Sequence, residues 1–163
     1  KPMVVKDQKQ LLSLTDMEDT RFLHCNIKTL NLLVNCMAAT KAENEGRDEC
    51  VFHRGEIVTE CAHSNISIIK DGVFITHPTD HHILPGITRM HMIQICKENN
   101  IPVDETPFTM EDLKNADEVF ISSATQLCRR AGSLNGENIG CKDSKLAELI
   151  QNCYWDKYME ETK

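Results

Sequence analysis

The order of hydrophobic and polar residues along the chain indicates three long helices. Between Lys28 and Glu45, apolar residues recur every three or four positions, and Gly46 ends the run. A second amphipathic run follows Pro85-Gly86, with Thr88 as its predicted N-cap. A closing helix is predicted from about Asp143 onward.

Short runs with strand periodicity lie between and after the first two helices. The predicted strands are ECVFHR, EIVTE, NISIIK and VFITH, followed later by the extended IPVDETPF and the buried DEVFISS. Asp71-Gly72 predicts a hairpin turn between NISIIK and VFITH. Thr109 is expected to cap a short helix in TMEDLKNA, and LNGENIG is expected to form a tight turn.

Helices and strands in this order predict a mixed α/β (α+β) domain. A chain of 163 residues fits one folding unit, which we place at residues 21–163. Residues 1–20 show no sustained period and end in the polar TDMEDT, so we interpret them as a linker or an arriving edge segment.

Composition and charge exclude several classes of protein. Hydrophobic residues make up 40% and charged residues 26% of the chain, and no apolar run approaches the roughly 20 residues of a membrane span, so we expect a soluble protein. The net charge of -7 is spread along the chain and argues against a nucleic-acid partner. The eight cysteines include no Cys-x-x-Cys pair, and we expect reduced thiols in the cytoplasm.

Lys28 is the first candidate for chemistry because its neighbours are apolar. A lysine in such a segment most often lays its stem on the surface and keeps its amine in water. The alternative is a partly desolvated amine, which is nucleophilic near neutral pH and can attach an aldehyde such as pyridoxal phosphate.

Three further stretches carry suitable groups. Glu60 ends a strand and could keep a pyridinium nitrogen protonated, although a solvated strand end is the simpler interpretation. LPGITR (84–89) places a glycine before a helix start that could hold a phosphate, and SSAT (122–125) offers three hydroxyls. Both patterns also occur as plain capping groups.

The stretch HPTDHH raises the question of a metal site. Pro78 prevents a helix that would align His77 with His81, and the sequence shows no second group of ligands, so we expect no metal. A hydrolase is a poor interpretation of this sequence, because no Gly-x-Ser-x-Gly elbow is present.

Five stretches together resemble one family. CNIKTLNLL, VTECAHSNI, KDGVFITHP, ILPGITR and LKNADEVFISSAT occur in the order and at the spacing of the class IV pyridoxal-phosphate aminotransferases, and among them the D-amino-acid (D-alanine) aminotransferases. The resemblance implies the larger domain of fold-type IV enzymes, a pseudo-barrel-like mixed sheet flanked by helices that binds pyridoxal 5'-phosphate. It also implies a homodimer that acts on an amino acid and a 2-oxo acid.

The resemblance further implies a role for each matching residue. Lys28 would be the Schiff-base lysine that also moves the substrate proton, with its apolar neighbours keeping the amine uncharged. Glu60 would pair with the pyridine nitrogen, and Leu84 would pack on the ring. The remaining implied cofactor contacts are Gly86, Ile87, Thr88, Ser123, Thr125 and Arg21.

Departures from the family pattern leave the substrate open. Ala124 stands where the family often has threonine, His63 and Ala62 replace small hydroxyl residues, and QLCRRAG replaces a hydrophobic stretch near the substrate. The small amino-terminal domain of the family is not recognised in this chain. Aminodeoxychorismate lyase, branched-chain aminotransferase and a non-catalytic domain that keeps the motifs therefore remain alternatives.

Overall fold

The structure is a computed structural model that describes residues 8–161, and these residues form a nine-stranded mixed sheet with four helices. The strands are β1 (Leu12–Glu18), β2 (Glu49–Arg54), β3 (Ile57–Cys61), β4 (Asn65–Lys70), β5 (Val73–Thr76), β6 (Val103–Asp104), β7 (Glu118–Ser123), β8 (Leu127–Leu134) and β9 (Glu137–Asn138). The helices are α1 (Leu33–Asn44), α2 (Ile87–Glu98), α3 (Met110–Asn115) and α4 (Ser144–Glu161). The mixed α/β class expected from the sequence is confirmed.

The sheet runs in the order β3-β2-β1-β8-β7-β4-β5-β6, with β9 paired to β8. β1 is parallel to both of its neighbours, whereas β7 is antiparallel to β8 and β4. Strands from both halves of this order contribute to one buried apolar cluster, so the sheet curls around a shared interior. This is the curled mixed sheet that the resemblance implied.

Apolar side chains attach the helices to this sheet. α2 and α4 cover β4, β5, β7 and β8 through a cluster that includes Phe74, Met92, Phe120 and Ile150. α1 packs its two buried alanines, Ala38 and Ala42, against β2. None of the described helices is long and apolar enough to cross a membrane.

Several local predictions are confirmed because short-range chemistry determines them. Asp71 and Gly72 both adopt positive φ, as the hairpin between β4 and β5 requires. Thr109 caps α3 in a capping box, since its hydroxyl accepts from the Asp112 amide and the Asp112 carboxylate accepts from the Thr109 amide.

The interpretation of residues 1–20 as a linker or edge segment is wrong where the structure describes a strand. Residues 12–18 form β1, an interior strand hydrogen-bonded on both sides. The strand was not predicted because the polar residues Thr15 and Asp16 interrupt its apolar pattern. Thr15 is buried because its hydroxyl donates to the Glu45 carboxylate at 2.6 Å, which satisfies it inside the fold. Residues 1–7 lie outside the described part of the chain.

Two predicted helix starts are also wrong. α1 begins at Leu33 rather than Lys28, so Lys28 lies in the loop between β1 and α1. Leu30 and Leu33 recur at helical spacing but are exposed, so a longer helix would gain no stability from burying them. The N-cap of α2 is Gly86 rather than Thr88, and the side chain of Asn65 lies where a side chain at position 86 would begin.

Candidate active site

The centre of the candidate site is a buried cluster of charged groups at the carboxyl end of β1 and β3. The guanidinium of Arg21 donates to Asp19 at 2.9 Å and to Glu60, and it lies 4.4 Å from the centre of the Phe52 ring. All three charged side chains are buried. Two carboxylates and one guanidinium thus form a fixed network below the loop that carries Lys28.

Glu60 is held by donors on both carboxylate oxygens. Oε1 accepts from Arg21, and Oε2 accepts from the Leu84 amide at 3.0 Å and from the side-chain amide of Asn65 at 3.1 Å. Burial raises the pKa of Glu60 to about 6, although the Arg21 charge and these hydrogen bonds lower it in part. The acid therefore has a fixed orientation and a pKa near neutrality.

The start of α2 lies directly against this acid. The Asn65 side chain also donates to the Leu84 carbonyl at 2.8 Å and so ties β4 to the segment that enters α2. A Cβ atom on Gly86 would lie 2.1 Å from Asn65 Oδ1, so the Asn65 side chain would have to move away from its present position. Gly86 is therefore required by this close approach, and its φ of -69° is ordinary.

Hydroxyl groups from the end of β7 reach the same end of the sheet. Ser122 is the register partner of Asn65, so the two side chains lie on one face, and the buried Ser122 hydroxyl has no hydrogen-bond partner in the described structure. Ser123 Oγ lies 3.3 Å from the Thr125 hydroxyl and accepts from the Gln126 amide at 3.1 Å. An unsatisfied buried hydroxyl beside a helix start is a feature of ligand sites.

The other two predicted residues of α2 differ in exposure. Ile87 is 67% exposed, whereas Thr88 is buried and its hydroxyl accepts from Tyr154 at 3.3 Å. The Thr88 side chain thus has a partner on α4, and its backbone amide is the group that remains available for a phosphate at the helix start.

Lys28 is placed differently from the expectation. It is exposed in the loop from 19 to 32, and its neighbours Ile27 and Leu30 are exposed as well, Leu30 by 96%. The described residues therefore do not supply the apolar environment that was expected to keep its amine uncharged. Backbone contacts do fix the loop, because Cys25 N–H donates to the His81 carbonyl at 2.9 Å and the Arg21 guanidinium donates to the His82 carbonyl at 3.3 Å.

The structure thus brings together Arg21, Glu60 and Leu84 by direct hydrogen bonds, with Gly86 and Ser123 at the same end of the sheet. It leaves Lys28, Ile87 and Thr125 exposed. Sequence reasoning missed Asp19 and Asn65, which hold the acid in place. The position of Asn65, as a polar residue that opens a buried strand, was the signal available for it.

The loop between β5 and α2 also differs from its expectation. His77, Asp80 and His82 bring one ligand-type atom each to within 4.8 Å of the others. We expected no metal because Pro78 prevents a helix here and because the sequence shows no second group of ligands. A turn at Pro78 nevertheless brings these side chains together, since the Asp80 amide donates to the Pro78 carbonyl at 2.8 Å.

These residues fit pyridoxal phosphate at its ring and phosphate ends. Glu60 suits the ring nitrogen, while the glycine start of α2 and the Ser122 hydroxyl, which has no partner among residues 8–161, suit a phosphate.

The chain is similar to known proteins in sequence and in fold. The chain is 59% identical over 108 residues to a D-alanine aminotransferase of Listeria monocytogenes serotype 4b (strain F2365), an alignment that covers 66% of this chain and 37% of that protein. Its fold is similar to the branched-chain amino acid aminotransferase of Escherichia coli, with a TM-score of 0.80, 28% identity and coverage of 88% of this chain and 51% of that one. It is also similar to a Legionella pneumophila protein described as a 4-amino-4-deoxychorismate lyase, with a TM-score of 0.80, 26% identity and coverage of 93% and 58%.

The chain spans little more than a third of the first of these proteins and just over half of the other two. The sequence profile of the amino-transferase class IV family matches residues 2–134, which is most of the chain. This chain therefore belongs to the class IV aminotransferase family.

Proposed function

We propose that the protein carrying this chain is a pyridoxal-phosphate-dependent aminotransferase that moves an amino group from a D-amino acid, such as D-alanine, to a 2-oxo acid. The observation that carries the proposal is Glu60, a buried acid held by Arg21 on one side and by Leu84 and Asn65 on the other. The identity of 59% to a D-alanine aminotransferase supports the choice of substrate.

Glu60 has the position and proton affinity for the ring end of the cofactor. When bound, pyridoxal phosphate supplies an electron sink for the electrons left when a substrate Cα loses its proton. Glu60 would hold a proton at the ring nitrogen, and a pKa near 6 suits sharing a proton with a pyridine. Asp19 and Arg21 fix the orientation of Glu60, and Leu84, whose amide binds Glu60, would lie on the ring.

The start of α2 has the groups for the phosphate end. The backbone at Gly86, Ile87 and Thr88 presents the positive end of a 12-residue helix. Ser123 and Thr125 would add hydroxyl donors from the β7–β8 turn. The phosphate would also accept a hydrogen bond from the buried Ser122 hydroxyl, for which the described part of the chain offers no partner.

Lys28 is the proposed amine to which the cofactor attaches and which moves the proton at the substrate Cα. Its loop is tied to the Glu60 network through Arg21 and to the 77–84 loop through Cys25. This places the lysine on a segment fixed relative to the acid. Its amine is in solvent in the described chain, so the environment for catalysis has to come from elsewhere in the protein.

Exposed apolar residues precede and follow this lysine along the chain, and we name them the apolar face. Its members are Phe22, Leu23, Ile27, Leu30, Leu32, Leu33 and Met37. Scattered apolar residues are normal on a surface, but a contiguous segment of this kind is typical of an interface. We propose that the smaller domain of the family and the second subunit of a homodimer cover this face and remove water from Lys28. We also propose that the protein acts in the cytoplasm.

The decisive experiment measures products from the full-length protein loaded with cofactor. D-Alanine with 2-oxoglutarate should yield pyruvate and D-glutamate, and Lys28→Ala should abolish this transfer, while L-leucine should serve poorly as amino donor. The fold likeness to the lyase favours a second candidate, in which aminodeoxychorismate releases pyruvate without any 2-oxo acid acceptor. Preferred turnover of that substrate, or of L-leucine, contradicts the proposal, as does the absence of turnover.

A further inference from the structure

The loop from His77 to His82, between β5 and α2, has the ligand spacing of a metal site. His77 Nε2 lies 3.3 Å from Asp80 Oδ2, and His82 Nδ1 lies 3.0 Å from the same oxygen. Bonds of about 2.0 to 2.1 Å to a tetrahedral Zn²⁺ place two ligand atoms about 3.3 Å apart. The third separation is below 4.8 Å, so a small closure of the loop completes the set.

The hydrogen-bond environment of His77 supports a bound cation. Its Nδ1 lies 3.0 Å from the Val58 carbonyl and its Nε2 faces the Asp80 carboxylate, so both ring nitrogens meet oxygen acceptors. An uncharged imidazole has one N–H and one lone pair, and it can satisfy only one of the two. When Nδ1 donates its proton to the Val58 carbonyl, Nε2 carries the lone pair that a metal ligand needs, on the side of Asp80.

The surrounding groups orient these atoms as metal ligands are usually oriented. The Val58 carbonyl fixes the ring of His77 through Nδ1, and the His82 amide donates to the second Asp80 oxygen at 2.7 Å. The His77 side chain is 3% exposed, whereas those of Asp80 and His82 are 33% and 26% exposed. A metal could therefore enter from solvent and keep a water molecule as its fourth ligand.

We propose that His77, Asp80 and His82 form a binding site for Zn²⁺ that fixes the loop between β5 and α2. The same loop serves the candidate active site, because the His82 carbonyl accepts from Arg21 and the Leu84 amide donates to Glu60. The metal thus has a positioning role, and it takes no part in the amino-group transfer. This inference does not depend on the proposed function, since binding is measured without substrate or cofactor.

The test is a titration of the full-length, metal-free protein with Zn²⁺ and with Co²⁺. We expect one Zn²⁺ per chain and a Co²⁺ spectrum of tetrahedral type without the charge-transfer band of a thiolate ligand, which separates this site from the exposed Cys36 and Cys141. Asp80→Asn and His82→Ala should weaken the affinity by at least about 100-fold, because each removes a direct ligand. His81→Ala is the matched control, since His81 stacks on His82 without belonging to the cluster.

Amide hydrogen exchange supplies a second readout. Zn²⁺ should slow exchange at His82 and Leu84 in the wild-type protein and in His81→Ala, and it should have no effect in Asp80→Asn. Equal affinity in all four proteins, a thiolate band in the Co²⁺ spectrum, or no binding at micromolar Zn²⁺ would each overturn the proposal.

Discussion

Glu60 shows how one buried acid can be recognised by its effect on stability. Burial raises its pKa from the ordinary value of 4.5 to about 6, so the folded chain binds this proton more tightly than the unfolded chain does. The stabilising contribution is therefore fully present below pH 4.5 and is lost as the pH rises through 6.

This shift predicts a specific pH dependence for Glu60→Gln. Between pH 4.5 and 7 the free energy of unfolding of the wild-type protein should fall by about 2 kcal/mol relative to the variant. Urea unfolding at a series of pH values measures the difference, and Glu137→Gln at an exposed position is the control. A difference that stays constant, or that rises with pH, contradicts the placement of Glu60 in a desolvating environment.

At the scale of the elements, the approach of α2 to β4 determines the geometry of the phosphate end. Gly86→Ala should lower the free energy of unfolding by about 1 to 3 kcal/mol, because the added methyl group collides with Asn65 Oδ1. Removing that atom with Asn65→Ala should reduce the cost of Gly86→Ala, and a double-mutant cycle in urea measures the coupling.

Gly46→Ala supplies the contrast for this prediction. Gly46 has a φ of +65° and no atom within 4 Å of the position of its missing Cβ, so its cost comes from backbone strain alone. That cost should be about 1 kcal/mol and should be the same with or without Asn65→Ala. If Asn65→Ala leaves the cost of Gly86→Ala unchanged as well, the contact between α2 and β4 does not determine the residue at 86.

Some of these elements could be predicted from the sequence and others could not. The hairpin at Asp71-Gly72 and the capping box at Thr109 were predicted correctly because neighbouring residues decide both. β1 was missed because the partner that satisfies Thr15 is Glu45, thirty positions away. The start of α1 was placed too early because helical spacing at Leu30 does not reveal whether any surface covers it.

The candidate site divides in the same way. Glu60 and Gly86 were found from local patterns and from the family resemblance, whereas Asn65 depends on contacts between distant strands. The approach of His77 to His82 depends on a turn, which a search for helical spacing does not detect. The side chains that position other side chains through distant contacts were thus the part of the site that could not be predicted from the sequence.

At the scale of the whole molecule, the apolar face is the surface over which we propose a cover from the rest of the protein. Leu30 is 96% and Leu33 is 74% exposed, so neither stabilises the described fold by burial. Leu30 lies in the loop of Lys28 and Leu33 directly follows it, and the proposed cover over that loop would bury both side chains.

Leu30→Asp should therefore leave the unfolding free energy of this chain unchanged, within about 0.5 kcal/mol, while it weakens assembly of the full-length protein. Analytical ultracentrifugation of the full-length protein should show a dimer whose dissociation constant rises at least tenfold in the variant. Leu149→Asp on α4, where the side chain is 39% exposed, is the control and should leave the dimer intact. Equal dimerisation of both variants contradicts an interface at the apolar face.

The central claim is that Lys28 is the amine that carries the cofactor. Borohydride reduction of the full-length protein with pyridoxal phosphate fixes the cofactor to the amine it has attached to, and peptide mass spectrometry locates the added mass. We expect the label on Lys28 in the wild-type protein, with no specific label in Lys28→Arg and an unchanged label in the control Lys41→Arg. A label on another lysine, or no label in the wild-type protein, would contradict the account.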